Sequence, residues 1–192
     1  MSSKAEIIAR VKQHIKEKHD MPTIEINAIQ YADKIAQFKS ILQTTGGEAI
    51  ELQPDENLNE LIRAHFTEAK NIASNLPEIS LATINPDETA DPHSLNQIDL
   101  AIVRGEIGVA ENACVWVPQL MKERVICFIA EYLVILLNKQ DIVNNMHEAY
   151  AQLNFHNAAF GVFISGPSKT ADIEQALVVG AHGAKGLLVV LV

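Results

Sequence analysis

Two runs of consecutive apolar residues in the second half of the chain constrain its fold most strongly. They extend from Leu133 to Leu137 and from Gly186 to Val192. A strand with one face in water alternates apolar and polar residues, whereas a strand covered on both faces is apolar throughout. These runs therefore predict a mostly parallel sheet that is buried on both sides.

Between the apolar, strand-like runs lie segments with apolar residues three and four positions apart. This spacing is typical of amphipathic helices, and its alternation with strands is typical of helices packed on a sheet. The predicted helices contain Ile7 to Ile15, Tyr31 to Leu42, Leu58 to Ala73, Ile142 to Leu153, and a segment from about Ser168. The other predicted strands are Glu48 to Leu52, Ile79 to Ile84, Ile98 to Val103, Ala113 to Val117 and Phe160 to Ile164. Residues 125–130 fit either a strand or a helix, and residues 85–97 read as a long loop. This order of helices and strands predicts an α/β fold, a three-layer α/β/α sandwich with a mostly parallel sheet. We expect one domain over residues 1–192, in which residues 1–20 form a peripheral N-terminal helix.

Charge and composition exclude several classes of protein. The chain has 192 residues, 48% of them hydrophobic, and a formal net charge of −9. Such a chain is not disordered, and its acidity argues against nucleic-acid partners and anionic membrane surfaces. The most apolar window, Val125 to Leu137, contains Glu131 and is shorter than the roughly 20 residues of a membrane-spanning helix. We expect a cytoplasmic protein without membrane insertion.

The two cysteines, Cys114 and Cys127, each lie within an apolar run. They have neither the density of a disulfide framework nor the spacing of a metal or iron–sulfur site. The histidines are also scattered without metal-ligand spacing. The sequence therefore predicts buried free thiols, no metal site and no cofactor held by this chain.

The loop "SGPSKT", residues 165–170, ends an apolar strand and opens a helical pattern. Ligands of open parallel sheets lie beyond the carboxyl ends of strands, and helix starts favour anions. In one interpretation Ser165, Ser168, Lys169 and Thr170 bind an anion. In the other, Ser168 or Thr170 caps the helix while Gly166 and Pro167 shape the turn. Asp172 would then satisfy the helix dipole and repel an anion.

Two further candidates border predicted strand ends. Glu111 precedes a strand and could be a base, a ligand group or a solvated rim residue. His182, within "GAHGAKG" (180–186), is either a site residue or a partner of a backbone carbonyl. We expect Glu111, Asp172, His182 and the 165–170 loop to lie together at one edge of the sheet.

The stretch "ISGPSKTADIEQALVVGAHGAKGLLVVLV" (164–192) resembles the C-terminal signature of the LUD-type domain of lactate utilisation protein C. That signature runs Ser-Gly-Pro-Ser-Arg-Thr-Ala-Asp-Ile-Glu and then Gly-x-His-Gly-Pro. Residues 98–117 resemble the middle motif of the same family. The resemblance implies the fold of the glucosamine-phosphate deaminase, ribose-phosphate isomerase and CoA-transferase group. It also implies a role in oxidising L-lactate to pyruvate beside partner subunits that carry iron–sulfur clusters.

The chain departs from this family at several positions. The family's Ala-Glu-Thr-Gly-Thr is replaced by residues 110–114, "AENAC", and its His-Gly-Pro-Arg by residues 182–185, "HGAK". A Pro-Pro-x-His-like segment is replaced by residues 129–136.

Two functions stay open. The first is a cluster-free component or regulator of lactate oxidation that turns over no lactate alone. The second is a stand-alone enzyme or binding protein for a small anionic metabolite, such as a sugar phosphate or acyl-CoA. The candidate catalytic residues are Glu111 and His182, and the candidate ligand-binding residues are Ser165, Gly166, Ser168, Lys169, Thr170, Asp172 and His182.

Overall fold

The structure is a computed structural model that describes residues 3–15, 20, 22, 26–153, 160–169, 179–180 and 183–192. Its strands are β1 (Glu48–Glu51), β2 (Ile72–Ala73), β3 (Leu100–Arg104), β4 (Ile107–Val109), β5 (Val115–Pro118), β6 (Tyr132–Leu137), β7 (Ile142–Val143), β8 (Gly161–Ile164) and β9 (Gly186–Leu191). Its α-helices are α1 (Lys4–His14), α2 (Lys34–Thr44), α3 (Leu58–His65), α4 (Ile126–Ile129) and α5 (Met146–Gln152). Short 3-10 turns occupy Pro92–Gln97 and Lys139–Asp141.

The main sheet has five strands in the order β1-β9-β6-β3-β2, and all neighbours are parallel. Along β6, Leu133 and Ile135 face the side covered by α2, α4 and a second sheet, whereas Val134 and Leu136 face the side covered by α3. Both faces are apolar because both are buried. The predicted α/β class with a mostly parallel sheet is confirmed.

The second sheet was not predicted. It has four strands in the order β7-β4-β5-β8, in which β5 runs antiparallel to both β4 and β8. One face packs into the core beside α2, and the other contacts α5 through Trp116 and Phe163. The strand expected at 160–164 therefore exists, but it belongs to this mixed sheet and not to the parallel one.

Three predicted elements are wrong in extent or type. The helix expected from Leu58 to Ala73 ends at His65, and its last residues form β2. The strand expected from Ile79 to Ile84 is a series of turns, in which Ile84 alone bridges to Ala73. The helix expected from Ile142 begins at Met146, because Ile142–Val143 is β7. The segment 125–130 contains the short helix α4.

The first helix, α1, begins with a capping box between Ser3 and Glu6. The backbone N–H of Ser3 donates to Glu6 Oε2 at 2.9 Å, and the N–H of Glu6 donates to Ser3 Oγ at 3.3 Å. These bonds satisfy two of the unpaired donors at a helix start. No residue of α1 is buried against the described part of the chain, so its capping box and helical sequence pattern account for its formation there. No helix in the described part of the chain is long and apolar enough to cross a membrane.

Candidate functional site

A cleft of about 250 Å³ opens beside the loop that follows β8. Its polar rim is the backbone and side chains of residues 165–168, and its walls come from α4, β8 and the amino ends of β6 and β9. The described lining residues are Cys127, Phe128, Leu133, Val162, Phe163, Ile164, Ser165, Gly166, Pro167, Ser168, Gly183, Ala184 and Leu187. The cleft thus lies at the amino ends of the parallel strands. The expectation that the loop follows a strand of the parallel sheet is wrong, because β8 is antiparallel to its neighbour β5.

The rim loop is clamped between α2 and the segment before β9. Gly166 has φ +70°, and a Cβ there would lie 2.8 Å from Thr45 Oγ1, so glycine is required for both conformation and close approach. The N–H of Ser168 donates to the carbonyl of Ala184 at 2.8 Å. A Cβ at Gly183 would lie 3.0 Å from Ser168 Cβ. These contacts fix the loop's position without a ligand.

Glu111 lies in the turn between β4 and β5, next to the rim loop but outside the cleft lining. The hydroxyl of Ser165 donates to the carbonyl of Asn112 at 2.8 Å, which brings the two segments together. The exposed carboxylate of Glu111 accepts the N–H of Met146 at 3.2 Å, at the start of α5. A carboxylate in this position stabilises a helix N-terminus. Among its possible roles, the geometry favours helix capping over a base in the cleft.

The same turn keeps the backbone shape that a glycine would supply. Ala113 has φ +53° and is fully buried, at the position where the resembled family motif has Gly. The N–H of Cys114 donates to Asn112 Oδ1 at 3.2 Å, which supports the turn from within. The substitution of Gly by Ala has therefore left the local backbone conformation left-handed.

Lys169 is exposed, and its side chain extends toward the C-terminal end of α2. Its Nζ would lie 3.9 Å from a Cβ built on Gly46, the residue just past the end of that helix. An ammonium group there is favoured by the helix dipole even without an anion. Thr170, Asp172 and His182 lie outside the described residues, as does most of the helix expected from Ser168.

Lys185, the residue at the place of the family's Arg, points away from the cleft. Its Nζ donates to Glu131 Oε2 at 2.6 Å and lies 4.8 Å from the ring centroid of Tyr132. The hydrogen bond from Lys185 to Glu131 is the main cause that raises the pKa of Lys185. Lys185, the basic residue of the "HGAK" segment, is thus paired with Glu131 just before β9, on the side away from the cleft.

The two thiols are buried and free, as predicted. Burial raises the pKa of Cys127, on the cleft wall, to about 11, and that of Cys114 to about 12. Both are protonated near neutral pH, which makes them poor nucleophiles and poor metal ligands. Among the described residues, no three or more His, Cys, Asp or Glu side chains are arranged to hold a metal ion.

Sequence reasoning missed the apolar walls of the cleft. Phe128 lies in the segment that fitted strand or helix equally, and Val162 and Leu187 looked like ordinary core residues. The sequence carried no signal for Phe128, which is 38% exposed in α4. That exposure depends on how α4 packs beside β8, which no local pattern indicates.

A family model for the LUD domain matches residues 92–192, which is more than half of the chain. The chain belongs to the LUD domain family. The lining residues that the structure describes all fall within this LUD region. Membership supports a role related to lactate utilisation in general.

Comparison with solved structures gives the same fold. The chain is similar to a DUF162 family protein from Deinococcus radiodurans, with a TM-score of 0.66 and 15% sequence identity over 85% of this chain and 99% of that chain. At this identity the likeness establishes the fold alone. A comparison with curated proteins gave no match.

Proposed function

We propose that this LUD domain binds a small carboxylate in the cleft and acts as a cluster-free component of a cytoplasmic system that oxidises L-lactate to pyruvate. The observation that carries the proposal is the cleft itself, which combines a polar rim with apolar walls inside the LUD region. L-Lactate has the matching chemistry, with a carboxylate and a hydroxyl at one end and a methyl group at the other.

The donors available at the rim can be ranked. The hydroxyl proton of Ser165 is already donated to Asn112, so this residue can only accept from a ligand. Ser168 then provides the hydroxyl donor, and Lys169, the next residue along the loop, provides the positive charge when its side chain turns from Gly46 toward the cleft. Hydrogen bonds that involve an ionised group are about twice as strong as neutral ones. Lys169 is accordingly the residue on which affinity should depend most.

The size of the cleft favours a small ligand. Pockets for drug-sized molecules and cofactors span roughly 300–1,000 Å³. At about 250 Å³ this cleft suits a metabolite of a few carbons better than acyl-CoA. A sugar phosphate remains the second candidate, because the same hydroxyl and ammonium groups would bind a phosphate.

The redox step is assigned to partner subunits. Oxidation of lactate to pyruvate releases two electrons and two protons. Iron–sulfur clusters are usually held by four Cys thiolates, whereas this chain has two cysteines, both with a raised pKa. We therefore propose that clusters on partner subunits accept the electrons. This chain would supply the binding or regulatory part of the process.

A genetic experiment tests the cellular role. The gene is deleted in the source organism and restored either as wild type or as Lys169→Ala. Extracts are then assayed for L-lactate-dependent reduction of a dye, with an unrelated dehydrogenase activity as control. We expect deletion to abolish the lactate-dependent signal and the wild-type gene to restore it. Full lactate oxidation in the deletion strain would contradict the proposal.

A binding experiment tests the ligand. Thermal unfolding of the purified protein is followed with L-lactate, phosphate or sulfate, for wild type, Lys169→Ala and the matched control Lys139→Ala, an exposed lysine beyond the carboxyl end of β6. A ligand that binds only the folded state raises Tm. We expect L-lactate to raise the Tm of wild type and Lys139→Ala but not of Lys169→Ala. A response to phosphate alone would favour the sugar-phosphate alternative, and identical curves throughout would make the loop purely structural.

A further inference from the structure

Helix α1 carries an apolar stripe that the rest of the described chain leaves uncovered. Ile7, Ile8 and Val11 are 42–57% exposed, and Ile15, directly after the helix, is 55% exposed. A stripe of this kind on a helix with its own capping box is typical of a segment that packs against another surface. The helix is formed, and none of the residues that the structure describes packs over its stripe.

Basic residues flank this stripe. At 3.6 residues per turn, Lys12 falls on one side of it and Arg10 on the other, while Glu6 lies farther round the helix. Residues 1–20 contain five Lys and Arg against three Asp and Glu, whereas the rest of the chain contains ten against twenty-one. A basic amphipathic segment is therefore attached to an acidic body.

The body has a groove of matching character at the amino ends of the parallel strands. Two cavities of about 240 and 320 Å³ adjoin each other and share His65, Phe66 and Tyr132 in their walls. The rings of Phe66 and Tyr132 pack with their centroids 5.2 Å apart. This aromatic pair gives the groove an apolar surface between its two ends, and the ammonium group of Lys185 lies 4.8 Å from the Tyr132 ring centroid at one side of it.

Carboxylates line both ends of this groove. Glu131 is paired with Lys185, and Asp99 accepts the N–H groups of residues 70 and 71. Glu68 in one cavity and Glu48 in the other form no ion pair with any residue that the structure describes. The groove thus presents two open carboxylates beside an aromatic pair.

We propose that α1 of one copy of this chain docks into the groove of a second copy. The stripe would lie on Phe66 and Tyr132, with successive apolar residues about 6 Å apart along the helix entering the two adjoining cavities. Lys12 and Arg10 would approach Glu68 and Glu48. Reciprocal docking of two such helices gives a closed two-fold dimer. A second copy is a better partner than an anionic membrane, which the acidic body would repel.

Sedimentation velocity on the full chain tests the dimer. We expect wild type to sediment as a dimer that weakens as salt is raised, because the flanking ion pairs are screened. Val11→Asp on the stripe and Glu68→Lys in the groove should each shift the protein toward monomer. Leu120→Asp, which changes an exposed leucine outside both the stripe and the groove, should remain dimeric. Circular dichroism confirms that each variant is folded. A monomeric wild type at low salt, or a dimer that persists in either test variant, would overturn the proposal.

Cross-linking in a mixed-isotope sample tests the geometry. Equal amounts of normal and nitrogen-15-labelled chains are unfolded together in urea, refolded so that the subunits mix, and treated with a carbodiimide, which joins amines to carboxylates directly. We expect linked peptides that connect Lys12 to Glu68 or Glu48 and contain one light and one heavy partner. Links confined to a single isotope would place α1 on its own chain and refute the exchange. Flotation of a monomeric protein with anionic vesicles would refute it in favour of a membrane.

Discussion

The hydroxyl of Ser165 donates a hydrogen bond of 2.8 Å to the backbone carbonyl of Asn112, 53 residues earlier in the chain. This bond joins the rim loop of the cleft to the turn between β4 and β5. Since Glu111 caps α5 from the same turn, one hydrogen bond connects the cleft with the helix on the outer face of the second sheet. The position of the rim therefore depends on a contact that no local sequence pattern specifies.

Replacing Ser165 tests this connection. Ser165→Ala removes the bond at an exposed position, so the free energy of unfolding should fall by roughly 0.5–1 kcal/mol. Ser165→Thr, which keeps the hydroxyl, should restore most of it. Urea unfolding measures the difference, with Ser80→Ala, another exposed serine that does not line the cleft, as control. An effect of Ser165→Ala no larger than that of Ser80→Ala would show that the bond is not stabilising.

The left-handed backbone of Ala113 gives a second prediction. Ala113→Val places a β-branched side chain at positive φ in a fully buried site, and we expect a loss of roughly 1–3 kcal/mol or more from overpacking and backbone strain. Ala113→Gly should be nearly neutral, because relief of about 1 kcal/mol of strain offsets about 0.8 kcal/mol of lost methyl burial. Thermal and chemical unfolding of the two variants compare them directly. Equal stability of Val and Gly variants would argue against the left-handed conformation.

Asp99 predicts a pH dependence of stability. Backbone N–H groups of Asn71 and Lys70 donate to its carboxylate and lower its pKa. Stability from a lowered carboxyl pKa is present above the unfolded value of about 3.9 and is lost as pH falls through the folded pKa. Asp99→Asn should therefore be less stable than wild type near neutral pH, and the difference should shrink below about pH 4. Urea unfolding across this range measures it.

A matched variant controls this experiment. Asp55→Asn changes an exposed aspartate in a turn, where no such shrinking difference is expected. A constant deficit for Asp99→Asn at every pH would mean that packing, and not the charge of Asp99, explains its contribution.

The buried thiols predict low reactivity. Because burial raises the pKa of Cys127 to about 11 and that of Cys114 to about 12, a thiol-specific reagent near neutral pH should label neither in the native protein. Both should react in urea. Labelling is followed by mass spectrometry. Rapid modification of native Cys127 would indicate a thiolate in the cleft and would reopen a nucleophilic role for it.

The apolar runs predicted β6 and β9 well, because burial on both faces leaves a direct mark on a sequence. The end of α3 could not be predicted in this way. The apolar spacing continues through Phe66 and Ala69, but the backbone N–H groups of Lys70 and Asn71 bond to Asp99, far along the chain. A long-range hydrogen bond overrides a local helical pattern here.

In the candidate site, too, the features set by local sequence were predictable and those set by long-range contacts were not. The glycine and serine residues of the rim loop were identifiable because their turn chemistry is local. The apolar walls were not, because they depend on the antiparallel pairing of β8 with β5, as in the register Trp116 to Phe163. A strand of four residues carries no information about which sheet it joins. The sequence predicted α1 as a helix, but it did not predict that the described part of the chain leaves the apolar stripe of this helix exposed.

The place of β9 in the sheet has a consequence for biosynthesis. It lies between β1 and β6, although both of those strands are translated before it. On the ribosome, β1 and β6 therefore wait with unpaired edges, and edges of this kind recruit other chains. These edges stay open to association between nascent chains until β9 has left the exit tunnel and inserted between β1 and β6.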